Sequence, residues 1–173
     1  MPSMVSDPEV VVRLARLTKE LDADTAALDA RGREIGELTQ AWATAGGLAR
    51  PELVLLAVNL HGWYTALETA LERVARLLDQ TVPAGNTWHV DLLAQMQVEI
   101  PGLRPSVVPG ATIPELHELR KFRHFFRNAY VLDLDPTLVR ERAESLLRIR
   151  QSVVDGLGGL RAHIAAAIAE LTR

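Results

Sequence analysis

The chain has 173 residues, which is enough for one well-buried domain over residues 1–173. Its formal net charge of −3 excludes a protein coated in positive charge for nucleic acid. It has no cysteine, which excludes disulfides and thiolate chemistry and fits the reducing cytoplasm, where we expect it. No stretch approaches the roughly 20 uninterrupted apolar residues of a membrane span, and the N-terminus lacks the basic and apolar regions of a secretion signal.

A first long helix is predicted to begin at Asp7-Pro8-Glu9, where Asp caps the first turn and Pro fits it. An apolar residue then recurs every seven positions until Gly46-Gly47 ends the helix. The repeat consists of Leu14, Leu21, Leu28, Ile35 and Trp42. A helix of this length must pack against another of similar length.

A second helix is predicted from Pro51, with an unbroken apolar stripe that runs to Leu78. Tyr64 lies within that stripe, so we expect it in the core. His61 flanks the stripe, and we interpret it as a structural residue.

The second half of the chain predicts a short helix, a connection and a last long helix. The short helix runs from about Thr87 to Val98, and residues 101–114, rich in proline and glycine, form an ordered surface connection. Asp135-Pro136 begins the last helix, in which the Gly156 to Gly159 cluster favours a bend. No segment alternates like a strand. We therefore predict an all-α fold, an antiparallel up-and-down bundle of four main helices plus one short helix.

The fourth predicted helix begins at Pro114-Glu115, ends near Tyr130, and contains the most unusual stretch, LRKFRHFFRNAY over residues 119–130. At roughly 100° per residue, the three phenylalanines and Ala129 share one side, which should anchor the helix in the core. The opposite side is basic and open to water or to an anion. Its members are Arg120, Arg123, His124, Arg127, Asn128 and Tyr130. An amphipathic helix with a basic outer face is most often just a solvated helix.

Several kinds of chemistry are excluded by spacing. There is no Glu-x-x-His pair and no pair of histidines four residues apart, so we predict no metal site. The Gly156 to Gly159 cluster follows no strand, which excludes a nucleotide-binding loop, and we predict no cofactor. A metal-independent reaction or a binding role remains.

Three blocks in order resemble HepT-like proteins of the HEPN superfamily. They are LHGWYTALETALERVAR at residues 60–76, WHVDLLAQM at 88–96 followed by IPGLRP, and ELRKFRHFFRNAYVLDLD at 118–135. The resemblance covers the chain from about residue 8 onward. It implies a helical bundle that pairs as a homodimer, with the motif helices facing a shared cleft.

The resemblance also implies an activity and a partner. Many HEPN proteins are metal-independent endoribonucleases with an Arg-x4-His signature, which HepT extends to Arg-x4-His-x-Tyr. A minimal nucleotidyltransferase antitoxin attaches AMP to that tyrosine and silences the toxin. In this chain the arginine is Arg123 and the tyrosine is Tyr130. Arg123 and Arg127 are expected to bind RNA phosphate, together with Arg120.

The histidine of the signature is replaced by Asn128. An imidazole can exchange protons near pH 7, whereas an amide can only hydrogen-bond the phosphate. His124, one turn earlier, is a candidate substitute, or it helps to bind RNA or a partner. Two hypotheses follow: a toxin-type ribonuclease with Arg123, Asn128 and His124 as catalytic residues, and a catalytically weakened scaffold that binds a nucleotidyltransferase or RNA.

Overall fold

A computed structural model of the protein describes residues 8–128 and 133–173, without the side chain of Asn128. The described residues are 82% helical and contain five α-helices and no strand. The helices are α1 (Pro8–Ala45), α2 (Arg50–Val74), α3 (Trp88–Gln97), α4 (Ile113–Asn128) and α5 (Pro136–Leu171). None of these helices is both long enough and apolar enough to cross a membrane.

The four long helices pack in an antiparallel up-and-down arrangement, which confirms the predicted fold class. Arg73 of α2 binds Asp24 of α1 at 3.0 Å, while the earlier Asn59 lies beside the later Arg31. Likewise Arg142 near the start of α5 binds Glu118 of α4 at 3.0 Å. The seven-residue repeat forms the α1 contribution to the core, since Leu21, Leu28 and Ile35 are fully buried.

The connection between α3 and α4 is ordered, and half of its residues are exposed as predicted, but part of it is buried in the core. Val107 and Val108 are buried, and both of their backbone N–H groups donate to the Met96 carbonyl, at 2.9 and 3.1 Å. Arg104 is also buried and binds Asp79 through two hydrogen bonds of 2.6 and 2.7 Å. Because α3 is short, this segment supplies apolar side chains that the helix itself cannot provide.

Gly156 has a packing role that its sequence context did not predict. A Cβ atom there would lie 2.1 Å from the Val107 carbonyl oxygen, so only glycine permits this approach of the connection to α5. The neighbouring Gly158 and Gly159 have nothing within 4 Å of such an atom. The helix runs unbroken from Pro136 to Leu171, so the glycine cluster does not interrupt it.

Candidate functional site

The aromatic side of α4 anchors the helix only in part. Phe122 is buried and Phe126 half-buried, as predicted, but Phe125 is 48% exposed. The Phe126 ring contacts His61 of α2, with ring centroids 5.3 Å apart. Phe125 instead lines a hollow of about 230 Å³ that Leu138 of α5 also lines. The prediction that all three phenylalanines are buried is therefore wrong for Phe125, because α2 and α5 leave that edge of α4 uncovered.

Arg123 is held by α2 rather than pointing into solvent. Its Nη2 atom lies 3.0 Å from Glu68 Oε1, and its Nε–H donates to Thr65 Oγ1 at 3.1 Å. The side chains of Arg123 and Glu68 are only 11% and 8% exposed. Since a guanidinium has five N–H donors in a fixed fork, these contacts fix its plane and leave further donors for a ligand.

Glu68 also binds a histidine of α3. Its Oε2 atom lies 2.5 Å from His89 Nδ1, and the His89 ring stacks on Trp88 with centroids 3.7 Å apart. One carboxylate therefore joins α4 to α3 through α2. The WHVDLLAQM block thus has a structural link to the motif helix.

His61 lies beside the arginine side of α4. Its ring centroid is 5.3 Å from that of Phe126, and its Nε2 atom is buried without a hydrogen bond to any described residue. Burial lowers the pKa of His61, and the charges of Arg123, Arg127 and Arg31 lower it further. His61 is therefore a neutral imidazole at pH 7, surrounded by positive charge.

Gly62, the residue after His61 in α2, leaves room for the Arg31 side chain of α1. A Cβ atom at Gly62 would lie 2.5 Å from Arg31 Nη1, so the guanidinium of α1 rests directly on the α2 backbone. Arg31 Nη1 also donates to Asn59 Oδ1 at 3.4 Å. The glycine that follows His61 thus admits a third arginine next to the imidazole. We name the group of Arg31, His61, Arg123 and Arg127 the arginine–histidine cluster.

Arg120 lies one turn before Arg123 on the same side of α4. Its Nε atom is buried and has no hydrogen-bond partner within residues 8–128 and 133–173. Burial raises the pKa of Tyr64 and the nearby Glu68 adds to the rise, while Arg120 and Arg123 oppose it. Tyr64 is a buried core residue, as predicted.

The predicted site residues are distributed over more than one surface. Arg123 and Arg127 join the cluster around His61, and Arg120 is half-buried beside Tyr64. His124 is exposed and lies about 100° round the helix from Arg123. Asn128 is the last described residue of α4, and Tyr130 lies outside the described residues.

Sequence reasoning missed the α1 and α2 members of the site. His61 had been interpreted as structural, and neither Glu68 nor Arg31 was singled out. The only local signal was the His61-Gly62 pair, because a glycine in a helix interior often marks close approach by another group. Nothing in the spacing of Arg31 and Glu68 linked them to α4.

The described part of the chain holds no group of three or more His, Asp or Glu residues arranged to bind a metal ion. The cluster is instead cationic, with guanidinium groups as its main hydrogen-bond donors. Such groups bind phosphates and carboxylates.

Comparison with known proteins supports the family indicated by the sequence blocks. A family model described as HepT-like protein matches residues 55–164, a span that contains α3, α4, nearly all of α2 and most of α5. Searches of curated proteins and of solved structures found no significant match. The family match covers more than half of the chain, and the chain belongs to the HepT-like family of the HEPN superfamily.

Proposed function

We propose that this protein is a HepT-like toxin that cleaves RNA as a homodimer without a metal ion. The observation that carries the proposal is the position of Arg123, the arginine of the signature, which Glu68 and Thr65 of α2 hold at 3.0 and 3.1 Å. Arg127 and Arg31 add positive charge nearby, since both lower the pKa of His61 together with Arg123. This local excess of positive charge occurs in a chain with a net charge of −3, and it suits a phosphate diester. A fully solvated basic helix would not need arginines from both α1 and α4 around one imidazole.

The reaction that fits these groups is attack of the ribose 2′-hydroxyl on the adjacent phosphate. The 2′-oxygen forms a bond to phosphorus, the bond to the 5′-oxygen breaks, and a 2′,3′-cyclic phosphate remains. Arg123, oriented by Glu68 and Thr65, binds the phosphate and stabilises its growing charge. The exposed Arg127 adds a second contact, Asn128 hydrogen-bonds the RNA, and His124 orients the RNA or exchanges protons.

The proposed partner is a minimal nucleotidyltransferase antitoxin that attaches AMP to Tyr130. An AMP group on Tyr130 adds the negative charge of a phosphodiester, which opposes the binding of RNA phosphate. The exposed Phe125 on α4 supports a homodimer, since pairing of the two motif helices would bury it.

A second candidate function is a scaffold that binds a nucleotidyltransferase or RNA without cutting. Two observations favour it: the signature histidine is Asn128, and Glu68 already neutralises Arg123. General acid–base catalysis contributes typically about 10²–10⁴-fold to a rate, so loss of the histidine alone could leave no measurable cleavage.

Cleavage of RNA by the purified dimer in excess chelator separates the two functions. We expect the wild-type chain to cleave, Arg123→Ala to lose most of the activity and Asn128→His to gain activity. Arg140→Ala is the matched control, since Arg140 is exposed and pairs only with Glu144 on its own helix among the described residues. A wild-type chain that binds but does not cut RNA, together with an active Asn128→His variant, would establish the scaffold instead.

A further inference from the structure

Glu68 holds an imidazole next to the guanidinium of the signature arginine. Its Oε1 atom lies 3.0 Å from Arg123 Nη2, and its Oε2 atom lies 2.5 Å from His89 Nδ1. Because the two nitrogens bind the two oxygens of one carboxylate, they are at most roughly 8 Å apart. A phosphate diester bound to Arg123 therefore has its ribose within the span that separates the guanidinium from the His89 ring.

The contact with Glu68 also determines which nitrogen of His89 carries the proton. An ionised carboxylate only accepts hydrogen bonds, so Nδ1 donates to it. In the neutral ring the Nε2 atom then carries the lone pair, as in a catalytic base that a carboxylate orients. The Trp88 ring stacks on the imidazole with centroids 3.7 Å apart, so it covers one face and limits rotation of the ring.

The Nε2 atom of His89 is open to a ligand. The His89 side chain is 24% exposed, and its hydrogen bond to a described residue is made by Nδ1. In residues 8–128 and 133–173, the buried side-chain polar atoms without a hydrogen bond belong to His61, Trp63, Glu115, Arg120 and Arg161. His89 is not among these residues, so its Nε2 atom, which makes no such bond, contacts solvent.

We propose that His89 is a catalytic residue of this site, a general base that supplies from α3 the imidazole that α4 lacks at Asn128. This inference rests on the proposed ribonuclease function. Nε2 takes the proton of the 2′-hydroxyl as the 2′-oxygen forms its bond to phosphorus. The 5′-oxygen leaves with the electron pair of the broken bond and takes a proton from water. The imidazolium then passes its proton to the hydroxide that remains.

The titratable groups around His89 come from α2, α3 and α4. Glu68 and Tyr64 of α2 line a small cavity with it, and Tyr64 stays protonated because burial raises its pKa. Arg123 of α4 binds the other oxygen of Glu68, and Asp91 of α3 accepts a hydrogen bond from a threonine hydroxyl instead. A carboxylate on Nδ1 stabilises the imidazolium that forms as the proton is transferred.

The first test measures cleavage and RNA binding in excess chelator. His89→Asn keeps a side-chain N–H donor for Glu68 but cannot accept the proton, so kcat/KM should fall by roughly 10²–10⁴-fold. The Kd for a single-stranded 2′-O-methyl oligoribonucleotide, which has no 2′-hydroxyl to react, should stay unchanged because Arg123 remains in place. His163→Asn, the matched control at an exposed histidine, should change neither quantity. Parallel loss of binding and cleavage in His89→Asn would show that His89 only holds Glu68, and would overturn its role as the base.

The second test is the pH dependence of the wild-type protein, which does not depend on how a variant folds. A base must be neutral to act, so kcat/KM should rise with pH and then level off. The midpoint of that rise should equal the midpoint at which the His89 ring of the free protein loses its proton, followed by NMR. Two different midpoints would overturn the role of His89.

The two proposals fail in different ways. A wild-type chain that cleaves RNA, with a His89→Asn variant of equal kcat/KM, would remove His89 as the base and leave the ribonuclease function intact. A wild-type chain that cleaves no RNA overturns the ribonuclease function before any His89 variant is measured, and the proton-transfer role of His89 is lost with it.

Discussion

Glu68 is the single residue on which the geometry of the site depends most. Its carboxylate is 8% exposed and binds Arg123 at 3.0 Å and His89 at 2.5 Å. A buried carboxylate with two hydrogen-bonded partners keeps both of them in place, and removal of its charge leaves a guanidinium without compensation. The orientation of the signature arginine is therefore set by a residue of α2, not by α4.

The Glu68→Gln variant tests this at the level of stability. An amide keeps the shape of the side chain but removes the charge that compensates Arg123, so we expect a loss of about 3–5 kcal/mol in the free energy of unfolding, measured by urea denaturation. Glu72→Gln is the control on the same helix. Glu72 forms a more exposed pair with Arg76, and its loss should cost under about 1 kcal/mol. Equal effects of the two changes would show that Glu68 holds nothing in place.

At the scale of elements, the positions of the helices along the chain can be predicted from sequence periodicity. The contacts between the elements cannot. The apolar repeat predicted α1, and the Asp135-Pro136 start is confirmed by Asp135, which accepts a hydrogen bond from the Thr137 N–H at 2.9 Å. The connection of residues 101–114 was expected on the surface because proline and glycine break helices. They do so here, but Val107 and Val108, which lie between them, are buried in the core.

Gly156 and Gly159 provide a matched pair of substitutions on α5. Gly156→Ala would place a methyl group against the Val107 carbonyl, so we expect it to destabilise the protein by about 1–3 kcal/mol or more, since the backbone must shift. Gly159→Ala has open space around it and should stabilise by up to about 1 kcal/mol through helix propensity. Thermal unfolding of both variants measures the difference. Stabilisation by both would contradict the close contact between the connection and α5.

At the scale of the whole molecule, the site is built from residues far apart in the sequence. The resemblance identified Arg123 and the departure at Asn128, because both lie inside one short motif. Arg31 and His61 could not be found in that way, since only the packing of α1, α2 and α4 brings them together. Antiparallel packing of the four long helices could be predicted, but which side chains meet across the helices depends on rotation about each axis, which periodicity leaves open.

The two tyrosines of the chain allow a test of the proposed silencing by AMP attachment. Tyr64 is buried, so an enzyme cannot reach its hydroxyl in the folded protein. Tyr130 lies outside the described residues and follows Asn128, the last described residue of α4, by two positions in the sequence. We expect an AMP group on Tyr130 to oppose RNA binding, because it adds negative charge.

Co-expression with a minimal nucleotidyltransferase should therefore increase the intact mass of the chain by AMP and abolish RNA cleavage. We expect Tyr130→Phe to remain unmodified and to cleave RNA in the presence of the transferase, because it lacks the acceptor hydroxyl. Tyr64→Phe, the matched control, should still be modified and silenced. An inactive complex in which the wild-type chain carries no added mass would show that the partner acts by binding alone. In that case Tyr130 would have no part in the switch.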